Sequence, residues 1–158
     1  MSQVSDLFTP QQSEIVVDGL QCDWYGGKQI IGYKLLTADE EVVKQWGGHV
    51  TDVLSQWSPD QPYLALHDLS APGVAVFYMV YRNYEILNFA ITADNTLAHA
   101  HLAKHKHPAR VAVVLSMSLS GRTTYQVAIP KNADDSPINY RGFFKREQAL
   151  QWLSEAIY

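Results

Sequence analysis

The sequence predicts a single α/β domain, a mixed β-sheet with packed helices. Arg110–Ser116 is a near-continuous β-branched and apolar run, the pattern of a strand covered on both faces. Two other segments, one through Val42, Val43, Trp46, Val50, Val53, Leu54 and Trp57, the other through Ala149, Leu150, Trp152, Leu153, Ala156 and Ile157, repeat apolar residues at helical spacing. Strand-like and helical stretches alternate along the chain, which implies parallel strands joined by right-handed crossovers.

In chain order, residues 1–13 read as a polar, flexible tail and the domain as 14–158. Ile15-Val16-Val17 begins the apolar character and Asp18-Gly19 closes it. Cys22–Tyr25 and Gln29–Leu36 flank Gly26-Gly27, where glycine reaches positive φ without penalty, so an antiparallel pair opens the sheet. Thr37-Ala38-Asp39-Glu40 has the pattern of a capping box, with Thr37 as N-cap and Glu40 reaching back. Inside the helix that follows, Gly47 and Gly48 each cost roughly 1 kcal/mol against alanine, and close backbone packing or a local kink would explain them. Ser58-Pro59-Asp60 ends that helix, and Pro62–Asp68 is the next strand. Val74–Tyr81 has strand propensity, Tyr84–Ala90 and Leu97–His105 look helical, and Tyr125–Ile129 reads as a short edge strand. The last helix runs from about Lys145 to the terminus.

Composition narrows the functional classes. The 158 residues are 47% apolar and 18% charged, with 12 basic against 16 acidic side chains and a net charge of -4. That balance argues against disorder and against a dedicated nucleic-acid binder. The single cysteine, Cys22, excludes an intrachain disulfide. With no basic-then-apolar leader pattern at residues 1–14, and an apolar stretch (Val74–Tyr81) far short of the ~20 residues that span a bilayer, a cytoplasmic protein without membrane contact is expected.

Three segments together resemble a known family. Gly27-Lys28-Gln29-Ile30-Ile31-Gly32-Tyr33 precedes the first helix, and Tyr63-Leu64-Ala65-Leu66-His67-Asp68-Leu69-Ser70 ends a strand in Asp-Leu-Ser. Arg110-Val111-Ala112-Val113-Val114-Leu115 is then followed by Gly142-Phe143-Phe144-Lys145-Arg146-Glu147-Gln148-Ala149-Leu150-Gln151-Trp152-Leu153. Over roughly residues 22–158 this is similar to the STAS/SpoIIAA-like family, small domains related in fold to anti-sigma-factor antagonists. The resemblance lies in core patterns. Regulatory members have a phosphorylatable serine in an Asp-Ser-Ser-Gly-like turn after the strand ending in Asp-Leu-Ser. Here Ala71-Pro72-Gly73-Val74-Ala75-Val76-Phe77 follow Ser70, with no serine or threonine before Thr92. The resemblance therefore implies a non-enzymatic domain acting by protein–protein association or ligand sensing, without the usual phosphoserine motif.

The site expectations follow from the strand order. If the strands ending at Leu36, Asp68 and Leu115 are mutually parallel, Thr37, Asp68, Ser70, Ser116, Ser118 and Arg122 gather at one edge, where open α/β sheets bind ligands. Asp68 and Ser70 acting only as turn caps is the competing account. The 18 aromatic residues leave a surplus in Phe77, Tyr78, Tyr81, Tyr84 and Phe89, read as an interface for a homodimer or a protein partner, or as a pocket for a small apolar ligand. Their competing reading is ordinary core.

His101 and His105 share a helical face at a spacing that chelates metal. A third ligand would come from His49, His67 or Asp68, but Lys104 and Lys106 interleave with the run, so a solvated basic helix end is favoured and no metal or other cofactor is expected. A small-molecule binding protein is the alternative function, followed by a metal-dependent hydrolase.

Overall fold

The computed structural model describes residues 9–72, 74, 109–118, 122 and 138–157. Six strands, β1 (Gln12–Val17), β2 (Leu20–Tyr25), β3 (Ile30–Leu35), β4 (Leu64–Asp68), β5 (Ala109–Val114) and β6 (Ile138–Phe143), form one sheet in sequence order. Helix α1 (Glu40–Ser55) joins β3 to β4, and α2 (Arg146–Ser154) follows β6. The first two pairings are antiparallel and the remaining three are parallel, so the sheet is mixed, as expected.

The amino-terminal part is a three-stranded meander rather than a hairpin alone. β1 begins at Gln12, inside the segment read as a tail, and pairs with β2 through a register shift between Ile15 and Val17. Its turn into β2 holds Gly19 at φ +97°, and the β2–β3 turn places Gly26, Gly27 and Lys28 in succession in the left-handed region. The Gly27 N–H donates to Gln11 Oε1, tying that turn back to the start of β1.

Pairing sets the two faces of the sheet. Leu20, Cys22, Ile31, Tyr33, Leu35, Ala65, Val111, Val113, Ile138 and Tyr140 point to one side, where α1 covers them with Val42, Trp46, Val50 and Leu54. Tyr25, Ile30, Leu64, Leu66, Ala112, Val114 and Phe143 point to the other, under Ala149, Leu150, Trp152 and Leu153 of α2. The result is a three-layer arrangement with a core on each face.

Three expectations are corrected here. Thr37 is not the N-cap of α1: that position is Asp39, no side chain caps it, and Thr37 Oγ1 instead receives the Asp39 N–H at 3.5 Å. The chain stays extended through Asp39 (ψ 146°), so the helix starts too late for Thr37 to reach its first amides. Secondly, Gly48 is exposed with nothing within 4 Å of an added Cβ, so close packing does not explain it. Thirdly, β6 was absent from the expected element order. Its alternation is legible once the pairing is known: Ile138, Tyr140 and Gly142 are buried against exposed Asn139 and Arg141. The helical pieces expected between 84 and 105 and the edge strand expected at 125–129 lie outside the described residues, as does the strand propensity noted for Ala75–Tyr81. Among the described residues no helix is long and apolar enough to cross a membrane.

Two substitutions test this packing by chemical denaturation. Gly48→Ala is expected to stabilise the protein by roughly 0.5–1 kcal/mol, because alanine removes backbone entropy at an open helical site. Gly32→Ala is expected to destabilise it by about 1–3 kcal/mol, because the new Cβ would sit 3.0 Å from the Tyr25 ring, which is fully buried.

Candidate functional site

β3, β4 and β5 are adjacent and parallel, so their carboxyl ends emerge side by side. Thr37, Asp68, Ser70, Ser116 and Ser118 all lie at or just beyond these ends, and Arg122 is exposed, with its N–H donating to the Ser118 carbonyl at 3.0 Å. The polar groups engage locally. Asp68, buried, accepts at Oδ1 from the Ser70 N–H (3.0 Å) and from Ser70 Oγ (2.5 Å), closing an Asx-type turn. The Ser116 and Ser118 hydroxyls bond each other at 2.6 Å. Between these turns the ladder continues: the Leu69 N–H donates to the Val114 carbonyl and the Leu115 N–H to that of Phe143, both at 2.8 Å. The edge is thus a firm platform with hydroxyls at its rim. Phe77, Tyr78, Tyr81, Tyr84 and Phe89, and the metal pair His101 and His105, lie outside the described residues.

A second constellation crosses the sheet beneath α1. Glu14 is opposite Cys22, Cys22 opposite Tyr33, Tyr33 opposite His67, and His67 opposite Val113. Directly paired residues project from the same face, so this is one row of side chains. The Tyr33 and His67 rings stack within it, 5.5 Å apart and 7° from parallel. From above, α1 supplies Trp46, whose indole N–H donates to His67 Nδ1 at 3.0 Å, and His49, whose Nδ1 lies 2.9 Å from the Tyr33 hydroxyl. Indole nitrogen only donates, so Nδ1 of His67 is the acceptor and the proton of the neutral ring is on Nε2. The other nitrogen of His49, Nε2, is 3.7 Å from Glu14 Oε1.

Cys22 sits in the middle of this row as a buried free thiol. Burial first, then the carboxylates of Glu14 and Asp23, push it up to about 12. Apart from His49 and His67, which the sequence offered only as partners for other histidines, none of this row was found by sequence reasoning. Glu14 and Cys22 are eight positions apart and meet only through the β1–β2 register. The available signal was Trp46 and His49, one helical turn apart on the apolar side of α1.

The opposite face contains arginine–aromatic contacts. The Arg110 guanidinium lies 5.1 Å from the Trp152 ring centroid and donates to the Trp152 carbonyl at 2.6 Å, anchoring the end of α2 to β5. Arg146, at the start of α2, lies over the Tyr25 ring and reaches Asp23 at 3.4 Å. Arg141, Gln148, Gln151 and Glu155 line a cleft of about 420 Å³ beside Trp152. These polar walls do not suit an apolar ligand.

Trp46→Phe is expected to cost about 1–3 kcal/mol in denaturant unfolding, because it removes the indole donor to Nδ1 of the buried His67 ring. The Cys22 thiol has a pH consequence in chelator-washed protein. Its folded-state value lies above its unfolded value, so the unfolded chain gives up the proton first as pH rises. Its contribution is complete below about pH 9 and is lost towards about pH 12. Cys22→Ala is expected to lose less stability than the parent across that window, measured by unfolding at fixed pH values.

A scan against protein-family models returns no match, and neither does a search of curated proteins or of solved structures.

Proposed function

We propose that this chain is a SpoIIAA-like domain of the cytoplasm that works by protein association, a second copy of itself being the first partner, and that it catalyses no reaction. The observation that carries this reading is the composition of the carboxyl edge. Among the described residues three large apolar side chains are exposed, and two of them, Leu36 (49%) and Met117 (65%), follow β3 and β5 on either side of the end of β4. Between them lies the Asp68–Ser70 turn, whose hydroxyl donates to the Asp68 carboxylate and is held within the turn. Apolar groups flanking a rigid polar centre make a contact surface, since the turn loses little freedom when a partner covers it.

Sedimentation velocity of the full chain over a wide concentration range tests the reading. The parent is expected to form dimers at high micromolar concentration, and the Leu36→Asp, Met117→Asp double variant is expected to remain monomeric with unchanged circular dichroism. A parent that stays monomeric throughout, or a variant that dimerises equally well, overturns it.

A further inference from the structure

At the β1 end of the row beneath α1, three elements deliver three different metal-binding side chains to one point. β1 brings Glu14 and β2 brings Cys22, directly opposite each other in the ladder, and α1 brings His49 down onto them. One carboxylate oxygen, the thiol sulfur and one imidazole nitrogen all lie within 4.8 Å of one another. A tetrahedral ion with bonds of ~2.0–2.3 Å spaces its donors by roughly 3.3–3.7 Å. The His49–Glu14 pair, at 3.7 Å, already has that spacing. Glu14 is half-exposed and His49 partly exposed, so both side chains have room to adjust towards the sulfur.

The surroundings fit the outer shell of such a site. Nδ1 of His49 is engaged by the Tyr33 hydroxyl, and Nε2 is the nitrogen turned to Glu14. Metal-bound histidines have this division, one nitrogen on the ion and the other held by a hydrogen-bond partner that sets the ring's orientation. Tyr33 is itself fixed by its stack on His67. Cys22 is buried in the core while Glu14 is exposed, so the donor set spans from the core to the solvent side of β1. The thiolate and imidazole select against magnesium and calcium, which prefer all-oxygen cages, and favour a borderline-soft ion.

We propose that Glu14, Cys22 and His49 constitute a binding site for a divalent cation of the zinc class. On binding, the S–H bond of Cys22 breaks, its proton leaves to solvent, and the sulfur electron pair bonds the ion. Nε2 of His49 and an oxygen of Glu14 donate lone pairs, while the His49 ring proton sits on Nδ1 and is donated to the Tyr33 oxygen. The assignment is independent of the association reading and concerns a different region of the fold.

Cobalt(II) titration of the chelator-washed full chain tests it, since Cys22 is the single cysteine in the sequence and a thiolate-to-cobalt charge-transfer band reports this site alone, not any cluster of histidines. The band is expected to saturate at one equivalent and to disappear when Zn²⁺ is added. Cys22→Ser abolishes it. Glu14→Gln, on a solvated edge, and Tyr33→Phe each weaken cobalt affinity roughly 10–100-fold. Absence of the band in the parent at stoichiometric cobalt overturns the proposal, as does a band whose affinity is the same in Glu14→Gln and His49→Gln, each checked for an unchanged circular dichroism spectrum.

Discussion

The in-register row from Glu14 through Cys22, Tyr33 and His67 to Val113 aligns five strands and sets which side chains face α1. Strand side chains alternate between faces, so a slip of one residue in any of these ladders would move part of the row from under α1 to the α2 side. Two buried aromatic rings and an imidazole hold the register against that slip. The Tyr33–His67 stack spans the β3–β4 pairing, and the Trp46–His67 hydrogen bond ties the same point to α1. A mismatched register would bury His67 without the indole donor, a loss comparable to a broken buried hydrogen bond.

The two faces are built on different chemistry. Beneath α1, among the described residues, the Tyr33 hydroxyl, the Trp46 indole and the His67 ring thread through an apolar core, and Glu14 meets His49 at the β1 rim. Under α2 the polar links are guanidinium contacts: Arg146 to Asp23 and over Tyr25 at one end of the helix, Arg110 to the Trp152 carbonyl at the other. Arginine suits this task because its planar head stacks on a ring while still donating along its edge. α2 is only nine residues long, so anchoring at both ends matters more than for the sixteen residues of α1. The proposed cation site and the proposed contact surface consequently lie in separate places, one at the β1 side of the row and one at the carboxyl ends of β3–β5.

Much of the architecture is legible without coordinates where local and long-range preferences agree. The β5 segment reads as a doubly covered strand from its β-branched run, and it is buried on both sides. Trp46 and Trp152 follow from helical spacing, and both are core. The parallel arrangement of β3, β4 and β5, a condition of the site expectation, is met, with α1 as the crossover between β3 and β4. The start of α1 was misread because Thr37 has the right neighbours for a capping box, yet the backbone remains extended through Asp39. β6 is not legible in a short window because Asn139, Arg141 and Gly142 dilute its propensity, and among the described residues it pairs on one side only, with β5.

Periodicity and alternation are local properties of the chain, so the α/β class, a mixed sheet with packed helices and the identity of the first and last helices can be read from the residues alone. Tertiary packing brings Glu14, Cys22 and His49 together, stacks Tyr33 on His67 and commits Asp68 to the Ser70 turn. The reason is physical. Which strand residues meet is set by register, a global compromise among turns, a bulge between Ile15 and Val17, and the burial of both faces, and no short window of sequence contains it.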